Sequence, residues 1–492
     1  MTTQPDVAST AAVKKMMGLK TNALGFSALF AQGVAAISPT MTAVLIIPLA
    51  FASAGAGTWL AYAFATVMLL TVVFCLNQFA KRSSSAGSMY AYTGRGLGPR
   101  TGVLSGWTLI WSYFFIAVAG MCGFAVFSAQ LLSALGYHGS IHPIVFFAFS
   151  AVLCWVIAYK DIRVSSILTL VLEGASVACI LALAFVILFK HGFKVDTGQL
   201  SLKGVGLHGM GLAVVACIFS LVGFESATAL GGEAKDAKRT VPKAVTASLI
   251  ITGLFMVFMA YVEVGGTNNH GADWASAPLN YLASVYNVSW FKIPISIGAM
   301  ASFFSLSLSC LNAGARIMYP MARHGIFSGH LGRAHATNRT PHVAVTLYIA
   351  MIFVFPSVLM IWTNPLTAFG DAGTLAAFGF LLAYYLITLA APMYLKKIGE
   401  LRRHHVAMVG VALLCLLVPT IGSFYPRPPY PVNLFPYIFV GWMVVGASWL
   451  FVVNRRRPGI LADIEADLER APEPLAEEGV EIDQIAPQPA MA

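Results

Sequence analysis

Cys217-Ile-Phe-Ser-Leu-Val-Gly-Phe-Glu-Ser-Ala227 sets a glutamate in the middle of an apolar run. Glu225 is the only Asp, Glu, Lys or Arg between Lys203 and Glu233, and Gly223 immediately precedes the Phe-Glu pair. A charge inside a bilayer costs at least ~2.5 kcal/mol, so such a carboxylate marks a functional position by default. A second interruption reads Ala31-Gln-Gly-Val-Ala-Ala-Ile-Ser-Pro-Thr-Met41. Pro39 removes a backbone donor and clashes with the preceding turn, with Gly33, Ser38 and Thr40 around it. Taken alone this is a proline kink patched by Ser and Thr. Taken together, the two interruptions fall at corresponding places in two five-helix units, 21–190 and 207–397. Paired broken helices in two halves point to the binding site of a transporter.

Composition supports a membrane setting. The 492 residues are 58% hydrophobic and 10% charged, against roughly 25% charge in soluble domains. No Asp, Glu, Lys or Arg occurs from Thr21 to Ala80, from Thr101 to Tyr159 or from Thr340 to Gly370. Since ~20 apolar residues cross a bilayer, the charge-free runs predict twelve crossings: 21–53, 58–79, 102–134, 142–159, 164–189, 207–231, 243–265, 291–322, 342–362, 366–395, 404–424 and 432–453. The first is expected to be retained, because Met1 to Lys20 lacks the apolar stretch of a cleavable leader.

An even count puts both termini on one side. With the N-terminus inside, 25 Lys and Arg flank inside ends, Arg316 among them, and five (Lys190, Lys194, Lys203, Lys292, Arg427) lie outside. The positive-inside rule therefore places both termini in the cytoplasm of a multi-pass cell-membrane protein. Basic residues scattered between apolar runs do not make a nucleic-acid surface despite the net charge of +10. Residues 1–20 read as a cytoplasmic tail, 404–453 as the last two crossings, and 454–492 as a second tail. The latter carries nine acidic residues from Asp463 to Asp483 and reads as a short helix followed by solvated disorder.

The seven cysteines sit inside apolar runs without CxxC spacing and read as small core residues. No metal site or cofactor motif is present. No histidine falls mid-crossing, and no Walker motif or nucleophile elbow occurs, so an enzyme is not expected. A channel or membrane-embedded sensor is the alternative class, but no repeated pore motif supports it.

Three segments carry a family resemblance. Ser85-Ala-Gly-Ser-Met-Tyr-Ala-Tyr92, followed by Gly98 and Gly106-Trp107, is the first. Gly223-Phe-Glu225, continuing through Glu233-Ala-Lys-Asp-Ala-Lys-Arg-Thr-Val-Pro-Lys243, is the second. The third runs from Arg316 to Phe327 and on to Arg339-Thr-Pro341. In order and spacing across about 20–453, the chain resembles the amino acid–polyamine–organocation (APC) permeases. The resemblance implies an all-α membrane fold of LeuT type, in which a 5+5 inverted repeat has broken helices one and six. It implies alternating access around a site between helices one, three, six, eight and ten. The implied cargo is an amino acid or related amine, moved by proton symport or exchange. Where the family often has Gly-Ser-Gly-Ile-Phe in its first break, this chain has Ile37-Ser-Pro-Thr40; the altered carboxylate cradle favours an amine or an unusual amino acid.

Candidate substrate contacts are Ile37, Ser38 and Thr40 in the first break, and Ser220, Val222, Gly223 and Phe224 in the second. Phe219 matches the family's aromatic lid or is plain core, and Tyr113 and Trp111 on helix three either reach the pocket or face lipid or core. Glu225 either couples to protons or contacts the substrate amine, or else it bonds to unwound backbone and locks the break. Glu173 is the only charge between Arg163 and Lys190. It lies roughly 14 Å into a ~30 Å core, as a second proton-site candidate or an interhelical hydrogen bond. Glu263 and Asp371 read as solvated or capping, with gating as the lesser reading. Ser302, Ser305, Ser307 and Ser309 read as a packing face.

Overall fold

The computed structural model describes residues 18–83, 87–137, 139–160, 162–202, 204–425 and 428–469. The N-terminal tail through residue 17, Ser85 and Ala86 of the first motif, Lys203, Arg427 and the acidic stretch from 470 lie outside the described residues. The described chain is helical, and Leu24 and Ala234 form an isolated parallel bridge.

Among the described residues eleven helical runs are long and apolar enough to cross a membrane, where the charge-free runs predict twelve. The difference lies in the first run, Phe26–Ala80, which is 55 residues long. Unbroken, it would measure ~80 Å at ~1.5 Å per residue, far more than a ~30 Å hydrocarbon core. It is interrupted at Ser38 (φ 53°) and at Gly55 (φ 52°). The pieces are α1 (Phe26–Ile37), a turn Pro39–Met41, a π-helical segment Thr42–Ile46, α2 (Ile47–Ala54), a 3-10 turn Gly55–Gly57 and α3 (Thr58–Ala80).

Next come α4 (Met89–Leu97), α5 (Pro99–Ala134), α6 (Pro143–Lys160) and α7 (Ile162–Lys190). They are followed by α8 (Leu207–Leu221), α9 (Ala237–Gly265), α10 (Lys292–Arg323) and α11 (His342–Leu359). The chain continues with α12 (Pro365–Lys397), α13 (Arg403–Gly422), α14 (Phe435–Arg456) and α15 (Ile460–Glu469). α9 starts at Ala237 rather than at 243. Lys238, Arg239 and Lys243 wind into its first turns, so the charges that mark a membrane boundary do not mark the helix end.

α5 is the hub. Its most apolar window is 89% buried within the protein, against 28–33% for α6, α7, α11, α13 and α14. Hydrogen bonds tie it to its neighbours. Trp111 Nε1 donates to Leu375 O at 2.7 Å, Tyr348 OH to Ile110 O at 2.5 Å and Ser307 Oγ to Ala117 O at 3.1 Å. Trp111 is thus a core residue. The seven cysteines are unbridged, five of them buried.

The short helix expected in 454–492 is present as α15 (Ile460–Glu469), but it is docked rather than solvated. α15 is a docked helix, with Ile460, Ile464 and Leu468 at most 5% exposed. These three recur every fourth residue and form one apolar stripe, which the surrounding acids hide in a composition count.

Candidate functional site

The two interruptions become two breaks that touch. α1 ends at Ile37, Ser38 turns left-handed (φ 53°, ψ 73°), and Pro39 opens the next turn in the first position, where a missing N–H does least harm. α8 ends at Leu221, Val222 is extended, and Gly223 takes φ 105° before the one-turn helix Ser226–Ala229. A Cβ on Gly223 would stand 2.6 Å from the carbonyl oxygen of Ala36. Glycine is therefore required twice over, by its φ and by the approach of the first break.

Glu225 sits where α5, α8 and α12 meet. Tyr113 OH donates to its Oε1 at 2.8 Å, and Tyr384 OH to its Oε2 at 2.8 Å. Gly223 N–H adds a third bond to Oε2 at 3.2 Å. Phe224 stacks on Tyr384 with ring centroids 5.4 Å apart. Three donors converge on two oxygens of a fully buried carboxylate, the arrangement that fixes such a group in place. One oxygen bonds the unwound backbone, and both reach neighbouring helices.

The first break is wired to α7 and α10. Ser38 Oγ pairs with Ser302 Oγ at 2.8 Å, and Thr40 Oγ1 with Ser176 Oγ at 2.8 Å. Thr40 N–H, a donor at the N-terminal end of the new helical turn, points to Glu173 Oε1 at 3.3 Å. Ser38 N–H is bonded to Val34 O, and Pro39 has none. A carboxylate of the chain itself thus occupies a helix N-terminal position suited to an anion. Glu173 is 1% exposed and its Oε2 has no hydrogen-bond partner. Together with Pro39 and Thr252 it lines a cavity of about 140 Å³ between α1, α7 and α9.

The other expected residues cluster around this contact. Ile37, Ser220, Val222 and Phe224 are buried. Ser220 Oγ donates to Ala216 O at 3.0 Å and lies 3.3 Å from Tyr62 OH. Phe219 is half-buried, with its ring against Gly373 of α12. Of the serine face on α10, Ser302 bonds the first break and Ser309 Oγ donates to Gln32 O at 2.9 Å, while Ser305 Oγ is unpartnered.

Several contributors carry no sequence signal as site residues. Tyr384 is one aromatic among many. Gln32 Nε2 donates to Ser309 O at 2.8 Å, and its carbonyl accepts Ser226 Oγ at 3.2 Å, so it bridges α10 and the second break. Arg316, counted above as a boundary charge, is 0% exposed inside α10. Its Nε lies 2.5 Å from Glu233 Oε2 and its Nη2 3.3 Å from Oε1, a two-pronged ion pair. The carbonyl of Glu233 receives Ala23 N–H and Leu24 N–H at 2.9 and 3.0 Å, joining the chain after the second break to the start of α1. Glu263 also departs from its solvated reading. It is fully buried in α9 with neither carboxyl oxygen hydrogen-bonded, because that end of the helix is covered by other segments of the chain. Asp371 is partly exposed, as a solvated group requires.

Comparison with known proteins agrees with this architecture. The family model described as amino acid permease matches residues 29–425. The chain is 24% identical over 411 residues to the branched-chain amino acid permease BcaP of Bacillus subtilis (strain 168), covering 80% of this chain and 83% of that protein. It is 27% identical over 377 residues to the branched-chain amino acid permease BcaP of Lactococcus lactis subsp. cremoris, covering 71% and 78%. A third relative is the low-affinity putrescine importer PlaP of Escherichia coli (strain K12), 24% identical over 332 residues, covering 65% and 71%.

Proposed function

We propose, since the chain belongs to the amino acid permease family, that it is a secondary active transporter that moves an amino acid or related amine by alternating access, coupled to protons. The observation that carries the reading is the contact between two broken helices at Ala36 and Gly223. Backbone freed at such breaks is tolerated in a membrane only where it is buried in protein or lines a water-filled cavity, and substrate sites of this kind lie between discontinuous helices. Dividing the first helical run at Gly55–Gly57 would give twelve crossings, ten of them in inverted repeats 21–190 and 207–397 and two in 404–453. The 25-to-five distribution of basic residues supports cytoplasmic termini.

The coupling group we assign is Glu173. Glu225 has three hydrogen-bond donors, whereas Glu173 has one oxygen on Thr40 N–H and the other unpartnered. A proton on Glu173 removes its negative charge and weakens its hold on Thr40 N–H. That donor then becomes available to a substrate carboxylate, or the neutral carboxyl tolerates a passing ammonium. Glu225 instead holds the second break to α5 and α12.

Reconstituted protein with labelled amino acids and amines should show saturable counterflow, accelerated by an imposed pH gradient; uptake without counterflow would indicate a channel. Glu173→Gln is expected to abolish the gradient's effect while counterflow persists. Gradient-driven uptake that survives this change would remove Glu173 from the coupling role. Glu225→Gln puts an NH₂ where donors already converge, so thermal unfolding should show a loss of about 1–3 kcal/mol, with both counterflow and driven uptake reduced. Substrate identity can be read from a thermal-shift screen, since a ligand at 100 times its Kd adds ~2.7 kcal/mol of apparent stability.

A further inference from the structure

α15 follows the last apolar helix after the link Arg457-Pro458-Gly459, where Gly459 takes φ 103° and turns the chain back under the bundle. Its stripe of Ile460, Ile464 and Leu468 is 5, 0 and 5% exposed. Leu468 Cδ1 lies 2.6 Å from where a Cβ on Gly94 would stand, so the helix end is seated on α4. Arg95 Nε donates to the carbonyl of Leu468 at 2.6 Å, a cation at the C-terminal end of α15 where the helix dipole favours it. Asp467 Oδ2 is 2.7 Å from Nε2 of His324, at the end of α10, and Nδ1 of the same ring meets Tyr90 OH of α4 at 2.5 Å. Glu469 pairs with Lys397 at the end of α12.

One short helix therefore holds α4 and the ends of α10 and α12. α4 is in turn bonded to the second break. Ser88 Oγ, just before α4, is 2.5 Å from Thr228 Oγ1, and Thr228 Oγ1 donates to the carbonyl of Glu225 at 2.6 Å.

We infer that α15 is a built-in clamp: docked, it holds α4 against the second broken helix and keeps that face of the protein closed, and its release is required for the face to open. The inference rests on the transporter reading for its purpose, but the contact itself is tested separately. A clamp made of one apolar stripe and three polar contacts stands in an equilibrium that a single substitution shifts.

The test uses the full chain in liposomes with Ala91→Cys as reporter, because Ala91 on α4 is 0% exposed. Maleimide labelling is compared between Ile464→Glu and Ile464→Leu, with the parent lacking the added cysteine as background. A buried charge ejects the helix, whereas leucine keeps the stripe. The glutamate variant is expected to label about tenfold faster than the leucine variant, as a local opening made more populated requires. Asp467→Lys changes a side chain that is 61% exposed and cannot disturb the core; it should label faster than the protein carrying Ala91→Cys alone, by a smaller factor. Equal labelling of all three variants overturns the clamp. If labelling differs as expected but the leucine variant shows no counterflow of any amino acid or amine, the clamp stands and the transporter reading falls.

Discussion

Arg316→Leu is expected to cost about 3–5 kcal/mol of stability, because it strands Glu233 as an uncompensated charge in a closed interior. Both side chains are at most 1% exposed. Two further bonds from Arg316 Nη1, to Asn312 O at 3.3 Å and to its side-chain oxygen at 3.2 Å, would also be lost. The loss should appear as a lowered midpoint in detergent-solubilised thermal unfolding. Its sharper signature is rescue. Combining Arg316→Leu with Glu233→Gln removes the stranded charge and should recover most of the stability, since a buried pair replaced as a whole is often near neutral. A double variant no better than the single one would mean that the ion pair is not the cause. Arg316→Lys keeps the charge but gives up the fork geometry and should fall between.

The second large effect is expected at Gly223→Ala. The strain of an L-residue at φ 105° costs roughly 1–3 kcal/mol, and the new Cβ adds a clash with backbone, 2.6 Å from Ala36 O and 2.8 Å from Ala36 C. Backbone cannot rotate away, so the two breaks must part. Counterflow should be abolished even where folded protein is recovered. Gly33→Ala is the matched control. There the nearest atoms belong to one side chain, Ser248 Oγ at 2.7 Å, which can turn aside, and Ser248 Cβ at 3.0 Å, which must give slightly, so the loss should be clearly smaller than at Gly223. Equal damage at both positions would argue that the chain merely resents added volume in this region.

Both predictions rest on contacts that differ in how legible they are from sequence. Pro39 and the Gly223-Phe-Glu225 run are local signals. Each changes what the backbone can do where it stands, so the breaks could be located without knowing what they touch. The positions of the apolar runs were legible because charges bracket them, but helix ends were not, since charges wind into the helices, as Lys238 and Arg239 do in α9 and Arg455 and Arg456 in α14. The partners were not legible. Tyr113 and Tyr384 reach Glu225 from positions 112 and 159 residues away, and no periodicity connects them. The same holds for Arg316 and Glu233, and for Thr40 and Glu173, 133 residues apart. The π-helical Thr42–Ile46 was hidden for another reason: its residues suit an ordinary helix equally well, and the hydrogen-bond register is set by the break before it.

The contrast between α5 and the outer helices has a consequence for the surrounding lipid. α6, α7, α11, α13 and α14 present most of their apolar surface outward, whereas α5 presents almost none. Thinner or thicker acyl-chain layers are met by tilting or distortion in whichever helices touch them, at fractions of a kcal/mol per Å of mismatch. That adjustment falls on the outer ring, while the hub is shielded by the helices packed around it. Lipid chain length should therefore alter how long the solubilised and reconstituted protein survives more than it alters the contact between the two breaks beside α5.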